Sequence, residues 1–123
     1  MSAGTANLLC EQGATFERTL TWKDANGTAI DITNYEARMD VRFAATKEAD
    51  LVISLTFANS RISRVAPNAN GKFKLLISAT DTTALTPSTY FYDLEVYSSD
   101  GSSPQIVQRL LKGKFTVEAE VTG

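Results

Sequence analysis

The sequence predicts an all-β protein that folds as an antiparallel β-sandwich of about seven to eight strands. Apolar residues recur at every second position along most of the chain, as they do in half-buried strands. Short clusters of Asn, Asp, Gly and Pro separate these segments, and almost none of the segments has the helical period. A closed barrel is the alternative that the same pattern allows.

The chain length predicts a single domain. The 123 residues are close to the commonest domain size and can bury a core without disulfides or metals. The predicted domain covers residues 1–123, with residues 1–6 as a flexible N-terminal segment.

Residues 7–12 and 14–23 are the first predicted strands, and Asn26-Gly27 marks a turn after them because both residues tolerate positive φ. Three large side chains share one face of the second segment: Phe16, Leu20 and Trp22. Trp22 is expected to fill the centre of the core. Arg18 is the one polar residue in that register, so we expect its stem to follow the edge of the core with the guanidinium in water.

The longest alternation starts at Asn34 and reads NYEARMDVRF. Its apolar side is predicted to form half of the core: Tyr35, Ala37, Met39, Val41 and Phe43. Its other side carries alternating acids and bases, about 6.5–7 Å apart: Glu36, Arg38, Asp40 and Arg42. This charged row has three open interpretations: a solvated sheet face, a protein-binding surface, or a pair of catalytic carboxylates. Arg38 disfavours the third, because a cation between two acids keeps both ionised and leaves no general acid.

Five further strands are predicted in the second half of the chain, over residues 51–57, 61–65, 71–77, 88–98 and 105–121. Leu51 begins the first of these and is expected to point inward. The last strand is predicted to bend near Gly113. Residues 79–85 predict one short helical turn, capped by Ser78 or Thr80.

A crossover of this kind, followed by a Tyr-x-Tyr strand, is typical of immunoglobulin-like sandwiches. In that fold a tyrosine near the start of the strand bonds back to the preceding loop, and Tyr90 occupies the matching position. The Cys–Trp–Cys trio of antibody domains is missing from the chain. The predicted fold is therefore an immunoglobulin-like antiparallel β-sandwich.

Four large side chains fall in the polar register of their strands: Leu76, Phe91, Tyr97 and Leu110. If they gather on neighbouring strands, they form an apolar patch of the kind that marks a subunit contact. The alternative is that a loop or a terminal segment covers them. Together with the charged row they form the candidate interface.

The composition argues against several function classes. The formal net charge is -2, so no basic surplus is available to hold a nucleic acid or an anionic membrane surface. No histidine is present, which removes the commonest general base and metal ligand. The one cysteine, Cys10, is expected to be a buried apolar residue. We expect no enzymatic activity and no cofactor.

Two local clusters contain residue types that also occur at functional sites. Asp24 and Asp31, with the polar residues near them, resemble an oxygen-rich calcium loop but lack the spacing of an EF-hand, so turn hydrogen bonds are expected instead. Asp81 and the two threonines after it have no histidine to activate a nucleophile. The N-terminus shows no signal peptide and no apolar run is long enough to span a bilayer, so synthesis and folding are expected in the cytosol.

Several motifs follow one another in a fixed order along residues 9–122. In sequence letters they read QGxxF, WxDxxG, the step IDITNY, the long charged strand, SxxDTxxL, YxYDLE and GxxxVxxEVT. This order resembles a group of small structural proteins of tailed bacteriophages, and also the N-terminal β-sandwich domain of upper baseplate proteins of siphophages. Asn34 stands where that family often has glycine. These motifs are turn and core signatures rather than catalytic ones.

The resemblance implies a non-enzymatic structural component of a tailed-phage virion, in the tail, baseplate or neck. It implies assembly with other phage virion proteins, as a homo-oligomer or ring in the particle, with attachment of fibres as one role. Such a protein would be made in the host cytoplasm and end in the virion. The alternative function is a carbohydrate- or receptor-binding β-sandwich module that uses Trp22, Tyr35 or the outward aromatics Phe91 and Tyr97.

Overall fold

A computed structural model describes residues 4–101 and 104–122, and within these ranges nine strands form two sheets. The strands are β1 Gly4–Thr5, β2 Leu8–Glu11, β3 Phe16–Thr21, β4 Tyr35–Arg42, β5 Leu51–Leu55, β6 Ile62–Val65, β7 Lys72–Ile77, β8 Ser88–Ser98 and β9 Val107–Glu118. In the same ranges one short helix, α1, spans Ala79–Thr83, and a 3-10 turn spans Asn68–Asn70. No helix of this described part is long and apolar enough to cross a membrane. The predicted all-β class and the helical turn near 79–85 are confirmed.

The larger sheet has the strand order β1-β9-β8-β4-β5, with β2 also paired to β9, and the smaller sheet has the order β3-β7-β6. The chain passes from one sheet to the other after β2, β3, β5 and β7. It stays in the smaller sheet between β6 and β7, which are neighbours there. The pairing is antiparallel except that β1 and β2 run parallel to β9. Two such packed sheets with Greek-key connections form the predicted immunoglobulin-like sandwich.

The core lies between the two sheets and is built from the apolar side of every long strand. The ring centroids of Phe16 and Phe115, from opposite sheets, are 5.4 Å apart. Trp22 is buried, as predicted, and packs edge-on against Tyr35 at 5.0 Å between centroids. Its indole nitrogen has no hydrogen-bond acceptor among the described residues. Cys10 is also fully buried in this core.

The predicted inward direction of Leu51 is wrong. The pairing of β4 with β5 shifts between Val41 and Arg42, so that Val41 faces Ile53 but Arg42 faces Leu51. This bulge moves Leu51 to the outer face, where it is 47% exposed. Phe43 lies beyond the end of β4 and is 58% exposed, but its ring stands edge-on to that of the buried Tyr90, with the centroids 5.3 Å apart. Alternation alone does not reveal such a shift, because one extra residue reverses the direction of every later side chain.

Two arginines close the open sides of the sandwich, where the edge strands of the two sheets meet. Arg18 on β3 donates to the carbonyl oxygen of Leu9 on β2 at 3.0 Å, so its exposed guanidinium joins the two sheets. On the opposite side, Arg61 donates to the carbonyl oxygen of Ser54 at 3.0 Å and to the carboxylate of Asp81 at 2.9 Å. Each guanidinium supplies donors to backbone groups that no strand partner reaches.

A third arginine crosses the interior. Arg64 on β6 points inward, and its guanidinium donates to the carbonyl oxygens of Ile32 and Tyr35 at 2.6–3.0 Å. The guanidinium carbon of Arg64 also lies over the ring of Phe57, 5.0 Å from the ring centroid. The charge is therefore hydrogen-bonded and stacked where the smaller sheet meets the start of β4, which offsets the cost of partly burying it.

The connection before β8 has the predicted tyrosine corner. The Tyr90 hydroxyl donates to the carbonyl oxygen of Thr86 at 2.6 Å. Ser78 is the cap of α1, accepting from the amide of Asp81 at 3.2 Å. The fully buried Thr82 accepts from the Gly13 amide and donates to a neighbouring carbonyl, so that α1 holds the turn between β2 and β3.

Of the segment 1–6 that was expected to be flexible, residues 4–6 pair with β9, and residues 1–3 lie outside the described ranges. The Ala6 amide donates to the Lys112 carbonyl oxygen at 2.9 Å, and the Tyr92 hydroxyl donates to the Ala6 carbonyl oxygen at 2.6 Å. Burial raises the pKa of Tyr92 to about 12, which keeps this donor protonated. Gly113 permits the contact, because a Cβ there would lie 2.1 Å from the Ala6 oxygen.

We expect Gly113→Ala to destabilise the protein far more than Gly27→Ala. Both glycines have positive φ, but a Cβ at Gly27 meets no atom within 4 Å. The loss in unfolding free energy should be about 1 kcal/mol for Gly27→Ala, from backbone strain alone. Gly113→Ala should cost at least about 2 kcal/mol more, because the connection between β1 and β2 has to move. Urea unfolding measures both, and equal losses would contradict the close packing of this connection.

Candidate functional site

The charged row lies on the outer face of the larger sheet, beside a second row of side chains from β8. Four pairs face each other across the two strands: Glu36 and Tyr97, Arg38 and Glu95, Asp40 and Asp93, and Arg42 and Phe91. We call these eight side chains the central outer face. They share one side of the sheet because β4 and β8 pair without a shift along this length.

One half of the central outer face is joined by contacts around Arg38. Its Nε lies 3.0 Å from Oε1 of Glu95, and its guanidinium lies over the ring of Tyr97 at 4.7 Å. The Tyr97 hydroxyl donates to Oε1 of Glu36 at 3.1 Å. Burial, with the hydrogen bond to Glu36 as a second cause, raises the pKa of Tyr97. These four side chains therefore hold one another in place.

The other half brings two carboxylates together, each with its own arginine. Asp40 lies directly opposite Asp93 across the strands. Arg42 contacts Asp40 at 2.9 Å, and Arg109 on β9 contacts Asp93 at 3.2 Å. Burial is the main cause that raises the pKa of Asp93, and the nearby charges of Glu95 and Asp40 act in the same direction while Arg109 opposes them.

The four outward apolar residues do not form the predicted patch. Leu76 lies on the outer face of the smaller sheet, opposite Glu17, on the far side of the sandwich. Leu110 is the extra residue where the pairing of β8 and β9 shifts, and it packs against the core. Phe91 and Tyr97 are on one face but six residues apart on β8, which is about 20 Å. Alternation along a strand shows on which side of the strand a residue lies, but not to which sheet the strand belongs. The sequence therefore could not show that these four residues lie apart.

Sequence reasoning missed two members of the central outer face, Asp93 and Glu95, and also Arg109, which contacts Asp93 from β9. The signal was present, because Asp93 and Glu95 alternate with the buried residues of YFYDLEVY. Each has the charge that suits its neighbour on β4 or β9, apart from the opposed Asp40–Asp93 pair. Pairing the two charged rows by sign would have identified β4 and β8 as neighbours.

Trp22 and Tyr35, two of the four aromatic residues considered for sugar binding, do not present a free ring. Trp22 is buried, and Tyr35 packs against its edge. Arg38 covers one face of the Tyr97 ring, and Phe91 is half-buried beside Arg42. A carbohydrate platform needs an exposed aromatic face beside a groove, and these contacts leave none at Trp22.

The residues weighed for catalysis and metal binding have local structural contacts. The Asp24 carboxylate accepts from two backbone amides of its own turn, and Asp31 accepts from the amide and hydroxyl of Thr33. Burial raises the pKa of the Cys10 thiol, which disfavours the reactive thiolate. Among residues 4–101 and 104–122, no three His, Cys, Asp or Glu side chains are grouped so as to hold a metal ion.

No protein-family model matches the chain, and no curated protein matches it significantly in sequence. The functional interpretation therefore depends on the chemistry of the surface itself. The central outer face is mainly polar, and most of its side chains are bonded to one another.

We expect Asp93→Asn and Asp81→Asn to change stability with opposite dependence on pH. The pKa of Asp93 is raised, so its favourable contribution is full below the unfolded value of 3.8 and is lost as pH rises through the folded pKa. The hydrogen bond from Arg61 lowers the pKa of Asp81, so its contribution is present above 3.8 and is lost as pH falls through the folded pKa.

Urea unfolding of both variants and the wild type at about pH 7 and about pH 3 measures this difference. The free energy of unfolding of Asp93→Asn, relative to that of the wild type, should be higher at about pH 7 than at about pH 3. Asp81→Asn should lower the free energy of unfolding at about pH 7, and should lower it less at about pH 3. The same sign of change for both variants would contradict the assigned environments.

Proposed function

We propose that this chain is a non-enzymatic structural component of a tailed-phage virion that acts by protein–protein assembly. The observation that carries the proposal is the central outer face, whose eight side chains form a pre-arranged polar surface on a rigid sheet. The motif order from QGxxF to GxxxVxxEVT supports the same assignment through its resemblance to phage structural proteins.

The composition of the central outer face suits a protein contact. Arginine and aromatic residues are enriched where proteins meet, and this face combines Arg38 and Arg42 with Phe91 and Tyr97. Because the ion pairs and the Arg38–Tyr97 stack already order these side chains, they lose less conformational entropy when a partner binds. Four carboxylates and the three arginines that contact them nearly cancel in charge, so the surface does not demand a strongly charged partner.

The partners proposed are other virion proteins and further copies of this chain, arranged as a homo-oligomer or ring in the tail, baseplate or neck. Closed symmetric assemblies use the same patch on every copy, and a rigid sandwich repeats such a patch with constant geometry. The protein would be made in the host cytoplasm and reside in the virion, where attachment of fibres is one role open to it.

Complementation of a phage that lacks the gene tests this proposal. Arg38→Glu places a like charge beside Glu95 on the central outer face and should lower the yield of infectious particles by about tenfold or more. Lys74→Glu is the matched control, because it disrupts the 3.7 Å pair with Glu17 on the smaller sheet at similar exposure, 38% against 46% for Arg38.

Both variants should keep a stability within about 1 kcal/mol of the wild type, because exposed ion pairs contribute little to folding. Thermal unfolding of each purified variant provides that check. If Arg38→Glu and Lys74→Glu both complement as well as the wild type, the central outer face is not a contact in the particle. If the wild-type gene is dispensable for assembly and infection, the proposed function is contradicted as a whole.

A further inference from the structure

Charge is separated along β9, next to the central outer face. Lys112 and Lys114 point outward from the middle of the strand, and Glu118 points outward from its end. All three side chains are exposed. Among the described residues, none of these three side chains lies within ion-pair distance of an opposite charge. In the charged row of β4, by contrast, Arg38, Asp40 and Arg42 each form an ion pair.

The acidic end of this strip contains two further carboxylates. Glu11 on β2 lies directly opposite Glu118, so two like charges face each other across the parallel pair. Glu120 follows the strand and its carboxylate lies over Gly13, while its amide donates to the side chain of Gln12. Like charges in register oppose the pairing of β2 with β9.

The centre of the strip is uncharged. Leu9 lies opposite Thr116 between the basic and acidic parts, and it is 40% exposed on the outer side. The Thr116 hydroxyl is 3.5 Å from that of Thr89 on β8, so small uncharged side chains lie beside Leu9 at this point. We call Leu9, Glu11, Lys112, Lys114, Thr116, Glu118 and Glu120 the dipolar strip.

We propose that the dipolar strip is a two-fold contact between two copies of this chain. The strip runs from positive through apolar to negative, so a second copy turned by 180° about an axis near Thr116 places opposite charges together. Lys114 and Glu118 are each two residues from that centre, and Lys112 and Glu120 are each four residues from it. Leu9 then meets Leu9 of the second copy at the middle of the contact.

Self-complementarity of this kind is what a two-fold contact requires, because residue i must suit residue j and residue j must suit residue i. Lys114 and Glu118 are about 13 Å apart along the strand, so they are too distant to neutralise each other within one chain. The contact goes beyond the proposed function, since it uses a different surface from the central outer face and leaves that face open to other partners.

Charge-reversed variants in sedimentation equilibrium test the proposal. Lys114→Glu turns each contact between positions 114 and 118 of the two copies into a pair of acids, and Glu118→Lys turns it into a pair of bases. Each variant alone should dimerise at least about tenfold more weakly than the wild type, because both symmetric contacts become repulsive. An equimolar mixture of the two variants should form heterodimers, because each reversed side chain then meets its opposite charge in the other variant.

Lys74→Glu on the smaller sheet is the matched control and should dimerise as the wild type does. Wild-type dimers should also weaken as the salt concentration rises, because the charges are exposed. A wild type that stays monomeric at millimolar concentration and low salt overturns the proposal, and so does a mixture that associates no better than its components. Circular dichroism melts confirm that every variant is folded. Because complementation tests the central outer face, a negative result here leaves the proposed function standing.

Discussion

The fixed register between β4 and β8 is the constraint on which the rest of the structure depends. In this register the inward side chains of both strands are buried in the core, among them Ala37, Met39, Leu94 and Val96. The outward side chains form the central outer face. A slip of one residue would bring a row of charges into the core and the apolar row into water, so the alternation specifies both the fold and the surface at once.

Around that pair, polar groups close the sandwich where the strands leave backbone groups unpaired. Arg18 and Arg61 act along the two open sides, and Arg64 acts at one end of the core. Strands β1 and β2 each pair in parallel with β9. This pairing depends on the close approach of the Ala6 backbone to Gly113. A scaffold held in this way presents its outer surfaces in one geometry, which is the property that an assembly protein needs.

The period-two pattern predicted most of the fold, because a strand with one buried face has to alternate. It also predicted the burial of Trp22, and the Tyr-x-Tyr strand after the helical crossover predicted the hydrogen bond of Tyr90 to the preceding loop. It failed at Leu51, where a bulge reversed the register, and at Leu76, whose strand belongs to the other sheet. Alternation reports which way a side chain points within its strand, whereas neighbouring strands are chosen by long-range pairing. The charged row was therefore located correctly, but its partners on β8 and β9 became visible only in the folded structure.

The role of the chain in a virion is measured most directly by quantitative mass spectrometry of purified phage particles. Particles are banded on a density gradient and washed in high salt, and the chain is counted against a tail protein of the same particle. Our proposal predicts a constant whole-number ratio that persists through the wash. A chain that is found only in the lysate, with none in the banded particles, would contradict it.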